Sequence, residues 1–255
     1  MPQETRAVIF GRDAGTYDEA RPGYPPAAIE HITASTHAFT ALEVGAGTGK
    51  ATAEFARADL ELTCLEPSPQ MAEILDARGL PGVDVVIASF EDWDGMSDSV
   101  DLIYAAQAWH WVDKEVGFAK ALTILRPGGV LALLWNIPVD RYGSHRQLYA
   151  RHAPELLAEK DERINRRDDH DWCVDMEEAG FVTTERFTHR WSEELTADRY
   201  RALFSTYSDH MMLDESRRTA ILDGLVDDVE SRGGTMLVDY RTEVFSGRKP
   251  DTEQR

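Results

Sequence analysis

The sequence predicts a doubly wound α/β fold on a mostly parallel sheet, and three observations carry that prediction. Between about residue 39 and residue 136, short β-rich runs alternate with helical stretches. The β-rich runs are almost continuously apolar, as expected of strands covered on both faces. A glycine-rich turn joins the first of these strands to the helix after it. Strands connected through helices lie parallel, because each helix carries the chain back across the sheet.

The elements follow in order. Phe39–Val44 reads as the first strand and Thr48–Ala58 as a helix with Ala51, Phe55 and Ala58 on one face. Leu60–Glu66 is the second strand. Ser68 is placed to cap the next helix, Pro69 suits its first position, and Gly79 closes it. Met71, Ile74, Leu75 and Arg78 form one stripe of that helix. Val83–Ala88 and Val100–Ala106 are the third and fourth strands. Asp113 caps a helix in which Phe118, Ala121, Leu122 and Leu125 recur at helical spacing, and Arg126-Pro-Gly-Gly129 reads as a break before the fifth strand, Val130–Trp135.

Beyond residue 136 the pattern changes. Tyr142–Ile164 is charged and reads as helical, Asp171–Ala179 as a short helix, and a strand runs from Gly180-Phe181 toward Trp191. Thr196–Tyr207 and Asp214–Ser231 read as helices, and Thr235–Phe245 as a last strand after the Gly233-Gly234 turn. The expected sum is seven strands, five parallel plus a closing antiparallel pair, with a helical cap inserted after strand five at about 137–165. No Gly-, Ser- or Pro-rich linker divides the chain, so residues 37–255 are expected to form one domain behind a lid segment at 1–36.

Composition narrows the function classes. The chain has 255 residues, 42% apolar and 29% charged, which is ordinary for a soluble globular protein. Its formal charge is −19, so phosphate backbones and anionic lipid are poor default partners, and nucleic acid and membrane are not expected ones. No basic stripe with interleaved aromatics appears either. Two cysteines, Cys64 and Cys173, are too few for a disulfide scaffold or a cysteine metal cluster. No apolar run approaches the ~18 residues of a membrane span, and residues 1–30 lack a signal-peptide core. A cytoplasmic enzyme, monomer or homodimer, is the expected class.

The chemistry concentrates in Leu42-Glu-Val-Gly-Ala-Gly-Thr-Gly-Lys50. Glycines 45, 47 and 49 allow a sharp turn and close approach of a ligand, and a helix N-terminus supplies unpaired N–H groups. Glu66 ends the second strand, where a carboxylate can accept bonds from both hydroxyls of a ribose. A glycine turn alone could serve only helix packing; glycines with a strand-end acid favour an adenosine-type cofactor. The spacing is Gly-x-Gly-x-Gly rather than the Gly-x-Gly-x-x-Gly of a dinucleotide site, and Glu43 precedes it. A carboxylate there repels a pyrophosphate but suits an amino-acid ammonium, which disfavours NAD and ATP and fits S-adenosylmethionine.

These motifs resemble the class I S-adenosylmethionine-dependent methyltransferases, which are Rossmann-like. Glu43-Val-Gly-Ala-Gly-Thr-Gly49 matches the family's Glu/Asp-x-Gly-x-Gly-x-Gly, Glu66 its second-strand acid, and Arg126-Pro-Gly-Gly129 its turn before strand five. The likeness is strong over residues 37–136 and holds only in outline beyond. Tyr17-Asp-Glu-Ala-Arg-Pro-Gly-Tyr-Pro25 and Ala106-Gln-Ala-Trp-His-Trp-Val112 look like a small-molecule subgroup that includes trans-aconitate methyltransferase-like proteins.

What the resemblance implies is methyl transfer to O, N or C of a small-molecule acceptor, with S-adenosylhomocysteine as co-product. Glu43, Gly45, Ala46, Gly47 and Gly49 would line the methionine end, and Glu66 would hold the ribose. Pro67 and Met71 would flank the adenine, and Ser89, Phe90 and Glu91 would grip it. Ala105, Ala106 and Gln107 would lie beside the sulfonium. Tyr17, Arg21 and Tyr24 would belong to the lid, Tyr24 also to the acceptor pocket; a capping segment packed on the core is the alternative. Acceptor specificity would come from the lid, residues 137–165 and the Thr206–Met212 region. A cofactor-binding protein that no longer transfers methyl groups is the alternative function, and the intact Glu43 and glycines fit both.

His110 carries two readings. Between Trp109 and Trp111, just beyond strand four, its imidazole could act as general base; equally it could brace the aromatic pair. Trp109, Trp111 and Trp135 could wall an acceptor pocket or belong to the core. Other constellations fail. Asp168-Asp-His-Asp171 cannot turn adjacent residues onto one ion and reads as helix capping, and His145 and His152 share a helical face without a third ligand, so no metal is expected. Arg163, Arg166 and Arg167 could reach an anionic substrate but read rather as a solvated helix face, and Met211-Met212 could line the crevice mouth but read rather as packing.

Overall fold

The computed structural model describes residues 14–58, 60–140, 142–159 and 170–251. Seven strands form one sheet: β1 (Thr40–Val44), β2 (Glu61–Leu65), β3 (Val83–Val86), β4 (Val100–Ala106), β5 (Leu125–Pro138), β6 (Val182–Thr196) and β7 (Thr235–Arg248). Their spatial order is β3-β2-β1-β4-β5-β7-β6. β1 to β5 are mutually parallel, and β7 runs antiparallel to both β5 and β6. The direction of winding reverses between β1 and β4, so a crevice opens at the carboxyl ends of those two strands.

The helices are α1 (Ala14–Ala20), α2 (Pro26–Ser35), α3 (Thr52–Phe55), α4 (Pro69–Ala77), α5 (Lys114–Ile124), α6 (Arg146–His152), α7 (Pro154–Glu159), α8 (Trp172–Ala179), α9 (Ala197–Ser205), α10 (Ser208–Met211) and α11 (Glu215–Ser231). Short polar side chains start several of them, each satisfying an N–H the first turn leaves open. Ser68 accepts from the N–H of Met71, Asp113 from Val116, Asp171 from Cys173, Thr196 from Arg199 and Asp214 from Arg217.

Both sheet faces are covered. Leu42, Ile103, Leu131, Leu133 and Trp135 pack with Phe118 of α5 and Met176 of α8 on one side. Leu62, Tyr104, Ala132 and Leu134 pack with Ile29 and Ile32 of α2 and Phe55 of α3 on the other. A third apolar cluster joins Ala20 of α1 to Tyr142, Tyr149, Leu156, Tyr200, Phe204, Ile221 and Leu225. The cap therefore draws on α1, on residues 142–157 and on α9 to α11, not only on the insertion after strand five.

Three elements differ from their sequence expectation. Arg126–Gly129 does not interrupt β5 but forms a bulge in it. Leu125 pairs with Val100 and Val130 with Leu102, while Gly128 and Gly129 exchange backbone bonds with Lys249 beyond β7. The helix expected from Thr48 shortens to Thr52–Phe55 and a 3-10 turn at Ala56–Ala58, because the chain spends residues 45–51 turning. β6 runs on to Thr196, since its pairing with β7 continues to Thr196 opposite Thr235.

Candidate functional site

At the switch point, the turn after β1 makes a cleft lined by Tyr17, Tyr24, Glu43, Gly45, Ala46, Gly47, Thr48, Lys50, Ala51 and Ala106. It encloses about 300 Å³ of empty space, the open solvent at its mouth included. The turn is pinned from below: the N–H groups of Gly45 and Ala46 donate to the carbonyl of Leu65 at 2.8 and 3.0 Å. Gly45 (φ +68) lies so close to the end of β4 that a Cβ there would stand 2.6 Å from Cβ of Ala108. Gly47 (φ +59) has nothing within 4 Å of where its Cβ would be. The first glycine is required by packing, whereas the second keeps the cleft clear. Thr48 lines the cleft at 1% exposure, and its hydroxyl has no hydrogen-bond partner among the described residues.

Two acids flank the turn. Glu43 is 1% exposed, and its Oε2 accepts from Thr52 Oγ1 (2.6 Å), Tyr104 Oη (2.9 Å) and Cys64 Sγ (3.6 Å). Burial outweighs those bonds and pushes its carboxyl up to about 7. The charge expected of Glu43 is thus conditional: near neutrality the carboxyl sits at its own titration midpoint, and a neighbouring cation would ionise it. Glu66 accepts from the N–H of Gly47 (2.7 Å) on Oε2 and of Ser68 (2.8 Å) on Oε1. Burial also raises its carboxyl, opposed by those two bonds. Each oxygen keeps a lone pair for a further donor.

The N-terminal segment forms one wall of the cleft, through Tyr17 and Tyr24. Arg78, the residue just past α4, donates from Nε to the carbonyl of Thr48 (2.6 Å) and from Nη2 to Asp18 of α1 (2.5 Å), fastening α1 to the glycine turn. Arg21 donates from Nε and Nη2 to Oγ1 and the carbonyl of Thr206, between the rings of Tyr17 and Tyr207. Asn136 Nδ2 holds the carbonyl of Gly23. Gln107, just past β4, sits at φ +59, and its Nε2 donates to the carbonyl of Asn136 at 2.8 Å. A non-glycine residue held there is the kind of local strain that functional sites retain.

Of the residues singled out from sequence, Tyr17, Tyr24, Glu43, Gly45, Ala46, Gly47 and Ala106 meet in the cleft, Arg21 and Glu66 touch residues that line it, and Gln107 follows Ala106 in the chain. At Gly49 (φ +86) a Cβ would stand 2.4 Å from Leu75, so packing of α4 against the turn calls for glycine there. Pro67 is exposed and Met71 buried at the start of α4, and Ser89 bonds Asp92. Phe90 and Trp109 pack together in the core, and Ala105 points into that same face. Glu91 accepts from the N–H of Asp113 (2.9 Å).

Trp135 stacks on Trp172 at 5.0 Å, so for Trp109 and Trp135 the core alternative is the one the packing supports. His110 lies outside the cleft lining, on a 3-10 turn, its ring 4.2 Å from that of Trp111. His145 bonds Tyr200 rather than pairing with His152. Asp168, Asp169, Arg163, Arg166 and Arg167 fall outside the described residues. Sequence reasoning passed over Thr48, Lys50 and Ala51, although Lys50 directly follows the last glycine. Burial lowers the Lys50 ammonium.

The chain matches a methyltransferase-domain model over residues 42–133. It is 32% identical over 217 residues to an uncharacterized methyltransferase of Mycobacterium tuberculosis, covering 85% of this chain and 84% of that one. Among solved structures, a proposed type II methyltransferase from Anaeromyxobacter dehalogenans superposes with a TM-score of 0.65 at 21% identity, over 91% of this chain and 99% of the other. A phosphoethanolamine N-methyltransferase of Haemonchus contortus, in complex with S-adenosylhomocysteine, superposes at 0.52 and 13% identity, over 98% of this chain and 58% of the other.

Proposed function

Since the chain belongs to the class I S-adenosylmethionine-dependent methyltransferases, we propose that it methylates O, N or C of a small molecule at the carboxyl ends of β1 and β4. The cleft suits the cofactor: Gly47 leaves open the space a Cβ would take, and the Thr48 hydroxyl awaits a partner there. That pairing of vacant space with an unpaired buried hydroxyl carries the reading. When bound, S-adenosylmethionine supplies a methyl group already activated on a sulfonium.

The chain's own residues then bind and align. Glu66 offers its two remaining lone pairs to the ribose hydroxyls. Glu43, ionising beside an ammonium, holds the amino-acid end, and Tyr17, Tyr24 and Arg21 close residues 14–36 over it. Alignment and exclusion of water by this lid and the aromatic cap supply the rate. The enclosed cap, drawing on three separate stretches of chain, favours a small acceptor. Cys64 and Cys173 are free thiols, which suits a reducing cytoplasm.

Calorimetric titration with S-adenosylmethionine, S-adenosylhomocysteine and NAD tests the cofactor. Binding of the first two and not of NAD is expected, and preference for NAD would overturn the assignment. S-adenosylhomocysteine release across a panel of small acceptors tests transfer. Tight binding with no release on any acceptor would point to a binding protein instead.

A further inference from the structure

One face of the sheet continues past the cofactor cleft. Residues paired in register share a face, so Glu43 and Tyr104 lie on the same side as Asn136, Thr242, Tyr240 and Trp191. A chain of bonds climbs that side. Gln107 donates to the carbonyl of Asn136, Thr242 Oγ1 to Asn136 Oδ1 (2.6 Å), and Trp191 Nε1 to Thr242 Oγ1 (2.8 Å). Tyr240 comes two residues further along, about 7 Å above Thr242 at the usual rise of a strand.

There the bonding stops. Tyr240 is 2% exposed, its ring is stacked on Trp191 at 4.8 Å, and its hydroxyl has no hydrogen-bond partner among the described residues. Glu193, next on the same face of β6, has one carboxylate oxygen on Arg199 at 2.6 Å and the other, Oε2, buried without a partner. Tyr207, Glu193, Arg21 and Tyr200 all act electrostatically on Tyr240, and Glu193 acts on Lys50 of the cleft. Register puts both of these side chains on one side of the β6–β7 hairpin, the side that carries Asn136 and Thr242. Burying polar atoms unpaired costs free energy, and a ligand that pairs them recovers it.

We propose that Tyr240 and Glu193 form the acceptor-recognition wall, and that it takes an uncharged, flat, hydroxyl-bearing molecule. This inference rests on the methyl-transfer reading and deepens it. An ionised Glu193 accepts but cannot donate, so the ligand supplies a hydrogen; Tyr240 either donates or accepts. Arg199 already balances the Glu193 charge, and the Arg21 guanidinium close by opposes a cation. A carboxylate ligand would set its own charge against Oε2. The rings of Trp191, Tyr207 and Tyr17 supply flat apolar surface.

The test uses the full chain saturated with S-adenosylhomocysteine, with toluene, benzyl alcohol and benzoate titrated by ligand-detected NMR. Benzyl alcohol is expected to bind about fivefold more tightly than toluene or benzoate, the net worth of one hydrogen bond. Tyr240→Phe and Glu193→Met, each checked by circular dichroism and calorimetric binding of S-adenosylhomocysteine, are expected to abolish that preference and leave the nucleoside affinity unchanged. Should Tyr240→Phe fail to fold, Glu193→Met alone carries the comparison. Preference for benzoate, an undiminished preference in the folded variants, or no binding of any probe to the loaded protein overturns this inference and leaves the cofactor reading standing. Failure of wild-type protein to bind S-adenosylhomocysteine overturns both.

Discussion

Glu43 is the residue at which fold and function oppose each other, and Glu43→Gln separates them. In the unfolded chain the carboxyl titrates at its ordinary 4.5, and in the folded protein burial pushes it up to about 7. Below pH 4.5 both states hold the proton, so nothing is lost. Between 4.5 and 7 the unfolded chain releases a proton that the folded protein keeps, and stability falls as pH rises. Above 7 the loss is complete. At about 1.4 kcal/mol per pH unit it comes to about 3 kcal/mol, for a side chain 1% exposed and so hardly screened.

The glutamine keeps an oxygen for Thr52, Tyr104 and Cys64 and cannot ionise. Urea unfolding at pH 5 and pH 8 should therefore show the variant gaining about 2–3 kcal/mol on wild type between the two conditions. The same substitution should weaken S-adenosylhomocysteine binding, because no carboxylate remains to meet the ammonium. Wild-type binding near pH 7 should release protons, seen as a dependence of the calorimetric heat on buffer ionisation enthalpy. Parallel pH profiles for the two proteins would refute the reasoning at its root, since Glu43 would then titrate alike folded and unfolded.

Glu66→Ala should weaken S-adenosylhomocysteine binding by about 1–3 kcal/mol in calorimetry, the cost of losing charge-assisted bonds to two hydroxyls; an unchanged dissociation constant would remove Glu66 from the site. Gly47→Ala should cost folding only about 1 kcal/mol, the left-handed backbone penalty, yet lower nucleoside affinity steeply because its methyl occupies the cleft. Gly45→Ala should instead show its main loss in thermal unfolding, since its Cβ would collide with Ala108. His110→Ala should reduce turnover about 10²-fold with nucleoside affinity intact if the imidazole is a base. Matched losses of melting temperature and activity would make His110 a brace for Trp111.

What the sequence showed well was whatever depends on near neighbours. The fourth strand appears with its expected bounds, Val100–Ala106, and the caps Ser68 and Asp113 sit where short polar side chains precede apolar periodicity. The bulge at Arg126–Gly129 depends on Lys249, more than a hundred residues away, so locally it could only look like a break. Trp109, His110 and Trp111 look alike as neighbours in a motif. A single 3-10 turn sends Trp109 between Phe90 and Phe118 and leaves Trp111 beside His110, a division no periodicity encodes. Tyr240 and Glu193 carried no local signal at all. Their significance lies in what fails to bond to them, which only the assembled hairpin and lid reveal.

The placement of α1 ties these parts together energetically. Asp18 binds the arginine that also holds the carbonyl of Thr48, so the helix is anchored to the glycine turn through Arg78. Arg21, one turn on, is anchored to Thr206 at the end of α9, within the cap. Tyr17 lies between them and lines the cleft. On the lid reading proposed above, a displacement of α1 large enough to admit a nucleoside would break contacts on both sides at once, and closure would restore them together. Through α1 the Asp18–Arg78 and Arg21–Thr206 contacts are thus tied into one set, although 185 positions separate Arg21 from Thr206.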